Sequence, residues 1–235
     1  DGTTDGTLQL NCSQNSHGVK LKSPAHSSAQ SYTLTLPATA PSSGKALVTD
    51  GSGNLSFSTA GSLTKLASTT ISSAVASVSF NSTYINSTYD NYRVIAYGLS
   101  TSADNQDIGL RMSVDNGSNF ATHVGCFNYT HINASSENST GSGSSRASIP
   151  LASDEEADNS GGTNFIIDLM NLNSTTQYKY ASGLGTSNNQ SNANYYAYRV
   201  HGYIASNTAV NFFKIFTEAG GNLDAGTITL YGYEK

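Results

Sequence analysis

The sequence predicts an all-β protein: a small N-terminal β module, intertwined with other copies in an oligomer, followed by a jelly-roll-like β-sandwich. Three observations predict it. Apolar residues recur at every second position in one short run after another, the pattern of half-buried strands. Clusters of Gly, Asn, Asp and Ser separate the runs, and these are turn formers. Finally, 14 Tyr and 8 Phe fall at strand-like spacings while only 11% of residues are charged, against about a quarter in an ordinary soluble domain. Aromatic content with so little charge argues for a packed chain over a disordered one.

The N-terminal module is assigned to residues 1–60. Leu8, Leu10 and Cys12 share one face of an extended segment, as do Val19 and Leu21, and then Tyr32, Leu34 and Leu36. Lys20, Lys22, Ser31, Thr33 and Thr35 point the other way, and Pro37, lacking an amide to donate, ends the third run. Thr49–Asn54 (TDGSGN) is a hairpin turn joining Ala46–Val48 to Leu55–Phe57. These strands carry one thin apolar face and too few large side chains for a core of their own. Leu8, Leu10, Val19, Leu21, Tyr32, Leu34 and Leu36 are therefore the expected contacts between copies of the chain.

Residues 58–64 are a linker of small side chains, and 61–235 form the sandwich. Leu63–Val78 fits a helical period, but Ser and Thr crowd the run and compete for backbone hydrogen bonds; two strands near 64–71 and 74–81 are expected instead. Tyr92–Leu99 is apolar on both faces apart from Arg93, as in a central strand. Ile108–Val114 alternates up to Asp115-Asn116-Gly117, the clearest hairpin signal of this half. Further strands are expected at His123–Ile132, Asn164–Leu172, Gln177–Gly185, Tyr195–Ile204, Val210–Thr217 and Gly226–Tyr233. Residues 133–162, rich in Ser, Gly and acids, are expected as long exposed loops around a short strand at Ala147–Leu151.

The blocks NCSQNSHGVKLKSP, SYTLTLP and ALVTDGSGNLSF, in that order over residues 5–58, resemble the N-terminal module of fibre-type virion proteins from tailed bacteriophages, especially those of marine bacteria. From Thr64 the likeness is looser and ends in AGTITLYGYE, similar to the β-sandwich tips behind that module. The resemblance implies a structural or adhesive virion part on tail or capsid, a homotrimer, with other virion proteins among its partners.

Other chemistry finds little foothold. A net charge of −5 without any Lys/Arg cluster argues against nucleic-acid binding through phosphate neutralisation. No run approaches the roughly 20 apolar residues of a membrane-spanning helix, and no signal-peptide pattern opens the chain. Cys12 and Cys126 lie in different modules and are expected as strand-borne thiols; a bridge would need Cα atoms within about 7 Å. His17, His26, His123, His131 and His201 show no metal-ligand spacing, and no metal or cofactor is expected. Asp154, Glu155, Glu156 and Asp158 form the one acidic cluster, without calcium-loop spacing, and neither a nucleophile elbow nor a phosphate loop occurs. No catalytic constellation is found.

Tyrosine is the positive signal. A flat apolar body with a hydroxyl suits stacking on sugars and filling interfaces. Tyr129, Tyr178, Tyr180, Tyr195, Tyr196 and Tyr198 are the candidate surface or receptor-binding residues. The expected function is a non-enzymatic virion fibre or knob that attaches to a host-surface glycan or protein. A capsid decoration protein binding other virion subunits is the alternative. A surface-polysaccharide depolymerase is disfavoured, because the chain has no solenoid repeat.

Overall fold

The computed structural model describes residues 6–14, 17–43, 45–59, 63–104, 106–131, 138–155, 162–189 and 194–234, with backbone alone at 124–131, 138–146, 153–155, 188–189 and 194–195. The chain is all-β, and it divides into two compact units, residues 1–60 and 61–235.

The first unit contains two hairpins. β1 (Thr7–Asn11) pairs antiparallel with β2 (Gly18–Lys22), setting Leu8 opposite Leu21 and Leu10 opposite Val19. The Cys12 N–H closes the loop on the His17 carbonyl at 2.8 Å. β3 (Lys45–Thr49) pairs with β4 (Leu55–Thr59) across the TDGSGN turn. There the Asp50 carboxylate accepts from the Ser52 N–H at 2.8 Å and the Asn54 side-chain amide at 2.8 Å, so the turn is held from within. The Asn54 amide, followed by the Ser52 N–H, lowers the Asp50 pKa.

The expected third strand is corrected. Tyr32–Leu36 makes only an isolated parallel bridge, Thr35 to Asn54, by way of Thr35 N–H to the Gly53 carbonyl (2.9 Å) and Leu55 N–H to the Thr35 carbonyl (2.8 Å). The run meets the second hairpin at its turn, so it has no strand to lie along. Gly53, at φ +94°, permits the contact; a Cβ there would run into the Thr33 carbonyl oxygen.

The second unit is built from β5 (Leu63–Ile71), β6 (Ser77–Phe80), β7 (Tyr92–Thr101), β8 (Gln106–Ser113), β9 (His123–His131), β10 (Asn138–Arg146), β11 (Ile149–Glu155), β12 (Thr163–Met170), β13 (Lys179–Asn189), β14 (Asn194–Ile204), β15 (Phe212–Thr217) and β16 (Leu223–Tyr233). An eight-stranded sheet runs β10-β9-β14-β13-β12-β7-β16-β5, and a four-stranded sheet runs β11-β8-β15-β6. Setting aside the insertions β9–β10 and β13–β14, the remaining strands numbered in chain order read 6-3-8-1 in one sheet and 5-4-7-2 in the other. Successive strands thus cross between the sheets, except that β8 and β11 pair with each other in the smaller one.

The core lies between the sheets. Tyr92, Val94 and Ala96 of β7, Ile108, Leu110 and Met112 of β8, Phe165, Ile167 and Leu169 of β12, and Ile228 and Leu230 of β16 bury every second side chain. Partners of the large sheet shift register near Gly98 (φ +62°) and Gly226 (φ +105°), where a Cβ on Gly226 would strike the Gly98 backbone. Beyond this bulge Leu99 turns back into the core.

Two further expectations are corrected. Asp115-Asn116-Gly117 turns, with Asn116 at φ +58° and Gly117 at φ +89°, but does not close a hairpin. β8 pairs with β11 and β15, and the next strand, β9, belongs to the other sheet. Local turn chemistry is satisfied equally by a crossing between sheets. Within 133–162, β10 lengthens the large sheet and β11 runs to Glu155; Ser and Gly hydrogen-bond along a ladder as well as apolar residues do, although they leave no periodic trace. Glu156 and Asp158 lie outside the described residues, as do the side chains of Asp154, Glu155 and Cys126.

Candidate functional site

Two surfaces stand out, one in each unit. In the first unit no described residue is buried. Leu8 is 58% exposed, Leu10 61%, Val19 71% and Leu21 67%. Their register places these four on one face of the β1–β2 hairpin. Tyr32, Leu34 and Leu36 are likewise exposed, together with Leu47 and Val48. Ordering each residue costs roughly 1–2 kcal/mol, while burying a Leu or Val side chain contributes roughly 1.5–3 kcal/mol. A unit that leaves this set in water has not collected the stabilisation that would hold it together.

The second surface is a tyrosine platform on the outer face of the large sheet. Tyr180 on β13 stands opposite Met170 on β12 and Tyr203 on β14. The Tyr178 and Tyr203 rings lie parallel, 3° apart with centroids at 6.0 Å, and the Tyr180 ring tilts against Tyr203 at 5.9 Å. Tyr178 and Tyr180 are 44% and 42% exposed. They line an open recess of about 330 Å³ with Asn171, Thr176 and Gln177.

Lys179 holds this recess in shape. Alternation along β13 turns it inward between its two tyrosine neighbours, and its side chain is buried. The Lys179 Nζ donates to the carbonyls of Ser174, Gln177 (2.9 Å) and Ser206 (2.9 Å). Burial lowers its pKa. Ser174 Oγ accepts from the Thr176 and Gln177 amides, and Asn173 donates to the Tyr89 and Asn86 carbonyls. The loop between β12 and β13 is thereby fixed before any ligand arrives.

The sequence candidates separate accordingly. Tyr178 and Tyr180 come together at the recess. Tyr196 and Tyr198 are corrected: at 4% and 3% exposure they face inward, their rings stacked at 5.9 Å and the Tyr198 hydroxyl bonded to Ser187. The side chains of Tyr129 and Tyr195 lie outside the described residues. Parity carried the missing signal: Arg199 and His201 mark the solvent face of β14, which places Tyr196, Tyr198 and Val200 on the core face and Tyr203 outward. Lys179, Asn171 and Gln177 left no such trace.

The histidines do not converge. His123 is buried, its Nε2 accepting the Met112 N–H at 2.9 Å, and burial, reinforced by the Arg111 charge, pushes its pKa down to about 4. His201 Nδ1 lies 3.1 Å from the Ser182 hydroxyl, and the side chain of His131 lies outside the described residues. Among the described residues no three His, Cys, Asp or Glu side chains gather as metal ligands, and no helix is long and apolar enough to cross a membrane. Among the described residues no carboxylate lines the recess. Its chemistry is that of stacking faces, amides and hydroxyls. Comparison with protein-family models, with curated proteins and with solved structures finds no match.

Proposed function

We propose that the chain is a non-enzymatic structural protein of a tailed-phage virion: a homotrimeric short fibre or knob that contacts the host surface. The observation that carries assembly is the exposed apolar face of the first unit, Leu8, Leu10, Val19 and Leu21, which other copies of the chain would cover. Three-fold symmetry and the virion rest on the resemblance of residues 5–58. The interleaved strand order of the second unit supports a jelly-roll, an architecture shared by viral capsid and lectin domains. On it, the tyrosine platform offers a preformed surface to a host glycan or protein, and other virion proteins are the remaining partners.

An averaged density map of the intact particle tests this reading. Trimeric density on the tail with the sandwich outermost is expected, and particles lacking the protein should adsorb poorly to host cells. Density at capsid symmetry axes with adsorption intact would replace attachment by decoration. Reducing ends released from host polysaccharide by the purified protein would overturn the non-enzymatic assignment.

A further inference from the structure

The outer face of the four-stranded sheet carries an electrostatic arrangement that folding alone does not explain. Arg111 on β8 and Lys214 on β15 are direct cross-strand partners. Like charges so placed repel, and sheets ordinarily avoid the pairing. Both side chains are half-buried. The Arg111 guanidinium lies 4.4 Å from the Phe216 ring centroid and 6.0 Å from that of Phe120; the Lys214 ammonium lies 4.7 Å from Phe120 and 5.1 Å from Phe216. Two cations thus share two phenyl faces, which offset part of the repulsion. Phe120 is braced in turn by Phe212, edge to face at 6.0 Å.

Among the described residues neither cation has an acidic partner, and the nearby acids are engaged elsewhere. Asp115 accepts from Ser113 and Asn119, and the Glu218 carboxylate accepts from the Ser148 hydroxyl. The Arg111 Nε is buried without a hydrogen-bond partner in the protein, and such a group calls for an explanation. Burial, and then the Arg111 charge, lower the Lys214 pKa.

We propose that Arg111 and Lys214, flanked by Phe120 and Phe216, form a binding site for a tetrahedral oxyanion, a sulfate or phosphate group. The guanidinium fork and the ammonium donate from adjacent strands, so the ligand must accept from more than one direction. A tetrahedral oxyanion spreads its acceptor oxygens in three dimensions, whereas a carboxylate confines both of its oxygens to one plane. The phenyl rings exclude water from one side, which strengthens each charge-assisted bond. A net charge of −5 for the whole chain makes generic adhesion to polyanions unfavourable, so binding would report this site.

Calorimetric titration of the full chain with sodium sulfate, against chloride at matched ionic strength, tests the site. Saturable sulfate binding is expected, weakened about tenfold or more in Lys214→Met and retained in Lys214→Arg. Without sulfate, Lys214→Met should unfold at the same temperature or higher, because a repulsive pair is gone. A purely structural cation–π role predicts the reverse: Lys214→Met melts lower, and sulfate changes nothing. Should Lys214→Met not fold, the unmutated protein decides, since its Arg111 Nε–H resonance must shift on addition of sulfate and an unmoved resonance overturns the site. Dextran sulfate beside neutral dextran distinguishes the source. Tighter binding of the sulfated polymer than of the free ion assigns a polymer-borne ester, tighter binding of the free ion assigns a small-anion site, and sulfate affinity unchanged by Lys214→Met rejects both.

Discussion

The Lys179 ammonium donates to the Ser206 carbonyl at 2.9 Å, tying the start of β13 to the segment beyond β14. With Ser174 and Gln177 it completes a cage of three carbonyls around one buried cation. Removing the amine leaves those acceptors without their donor. Lys179→Met is expected to destabilise the sandwich by about 2 kcal/mol and to speed amide exchange across residues 174–178. Wild-type exchange in that loop would exclude the cage as the organiser of the tyrosine recess.

His123 makes the fold acid-sensitive. The folded side chain stays neutral down to about pH 4, whereas the unfolded chain takes up its proton near pH 6.5. Between those values the unfolded state binds the extra proton, so stability falls as pH drops and levels off below about 4. The whole gap corresponds to about 3 kcal/mol. Urea midpoints at pH 7.5, 5.5 and 4.0 should show this slope, and His123→Gln should flatten it.

Arg93 and Asp168 form a two-pronged pair across β7 and β12, both contacts at 2.8 Å, and the Tyr233 hydroxyl adds a third bond to Asp168 at 2.7 Å. Both side chains are 32% exposed, so solvent screens much of the attraction. A double-mutant cycle with Arg93→Met and Asp168→Asn should return a coupling of about 1 kcal/mol, smaller in high salt. The Arg93 hydrogen bonds lower the Asp168 pKa; this contribution is therefore present above the ordinary carboxylate range and lost as pH falls through the lowered value.

Assembly through the first unit predicts a clean separation of effects. Leu10→Asp with Val19→Asp places carboxylates on the apolar face of the first hairpin and should convert the proposed oligomer to monomers in light scattering. The melting of residues 61–235 should be unchanged. An oligomer that survives both substitutions would move the subunit contact elsewhere.

On the proposed attachment role, Tyr178→Ala should reduce adsorption of particles to host cells severalfold while leaving oligomeric state and melting temperature intact, since the ring is 44% exposed. Adsorption at the wild-type rate would remove the platform from the attachment surface.

Strand character was legible from residue order because alternation is a local property. Leu8, Leu10, Val19 and Leu21 share a face, the TDGSGN turn closes on its own Asp50, and β7 and β12 bury every second residue wherever they lie in the sheet. Which strand pairs with which is not local. The turn after β8 carries the chemistry of a hairpin yet delivers the chain to the opposite sheet, and β10, composed of Ser, Thr, Gly and Asn up to its closing Arg146, has no apolar period to announce it. The recess and the Arg111–Lys214 pair depend on neighbours brought across strands, so only the tertiary structure could assemble them. The inward face of Tyr196 and Tyr198 was available to either reading, because the polar parity of Arg199 and His201 decides it. Outside Tyr32–Leu36 and β10, sequence alone determined where the chain extends and which side of a strand is apolar, since both follow from adjacent side chains. Packing decided which of those sides meet each other and which are left facing water.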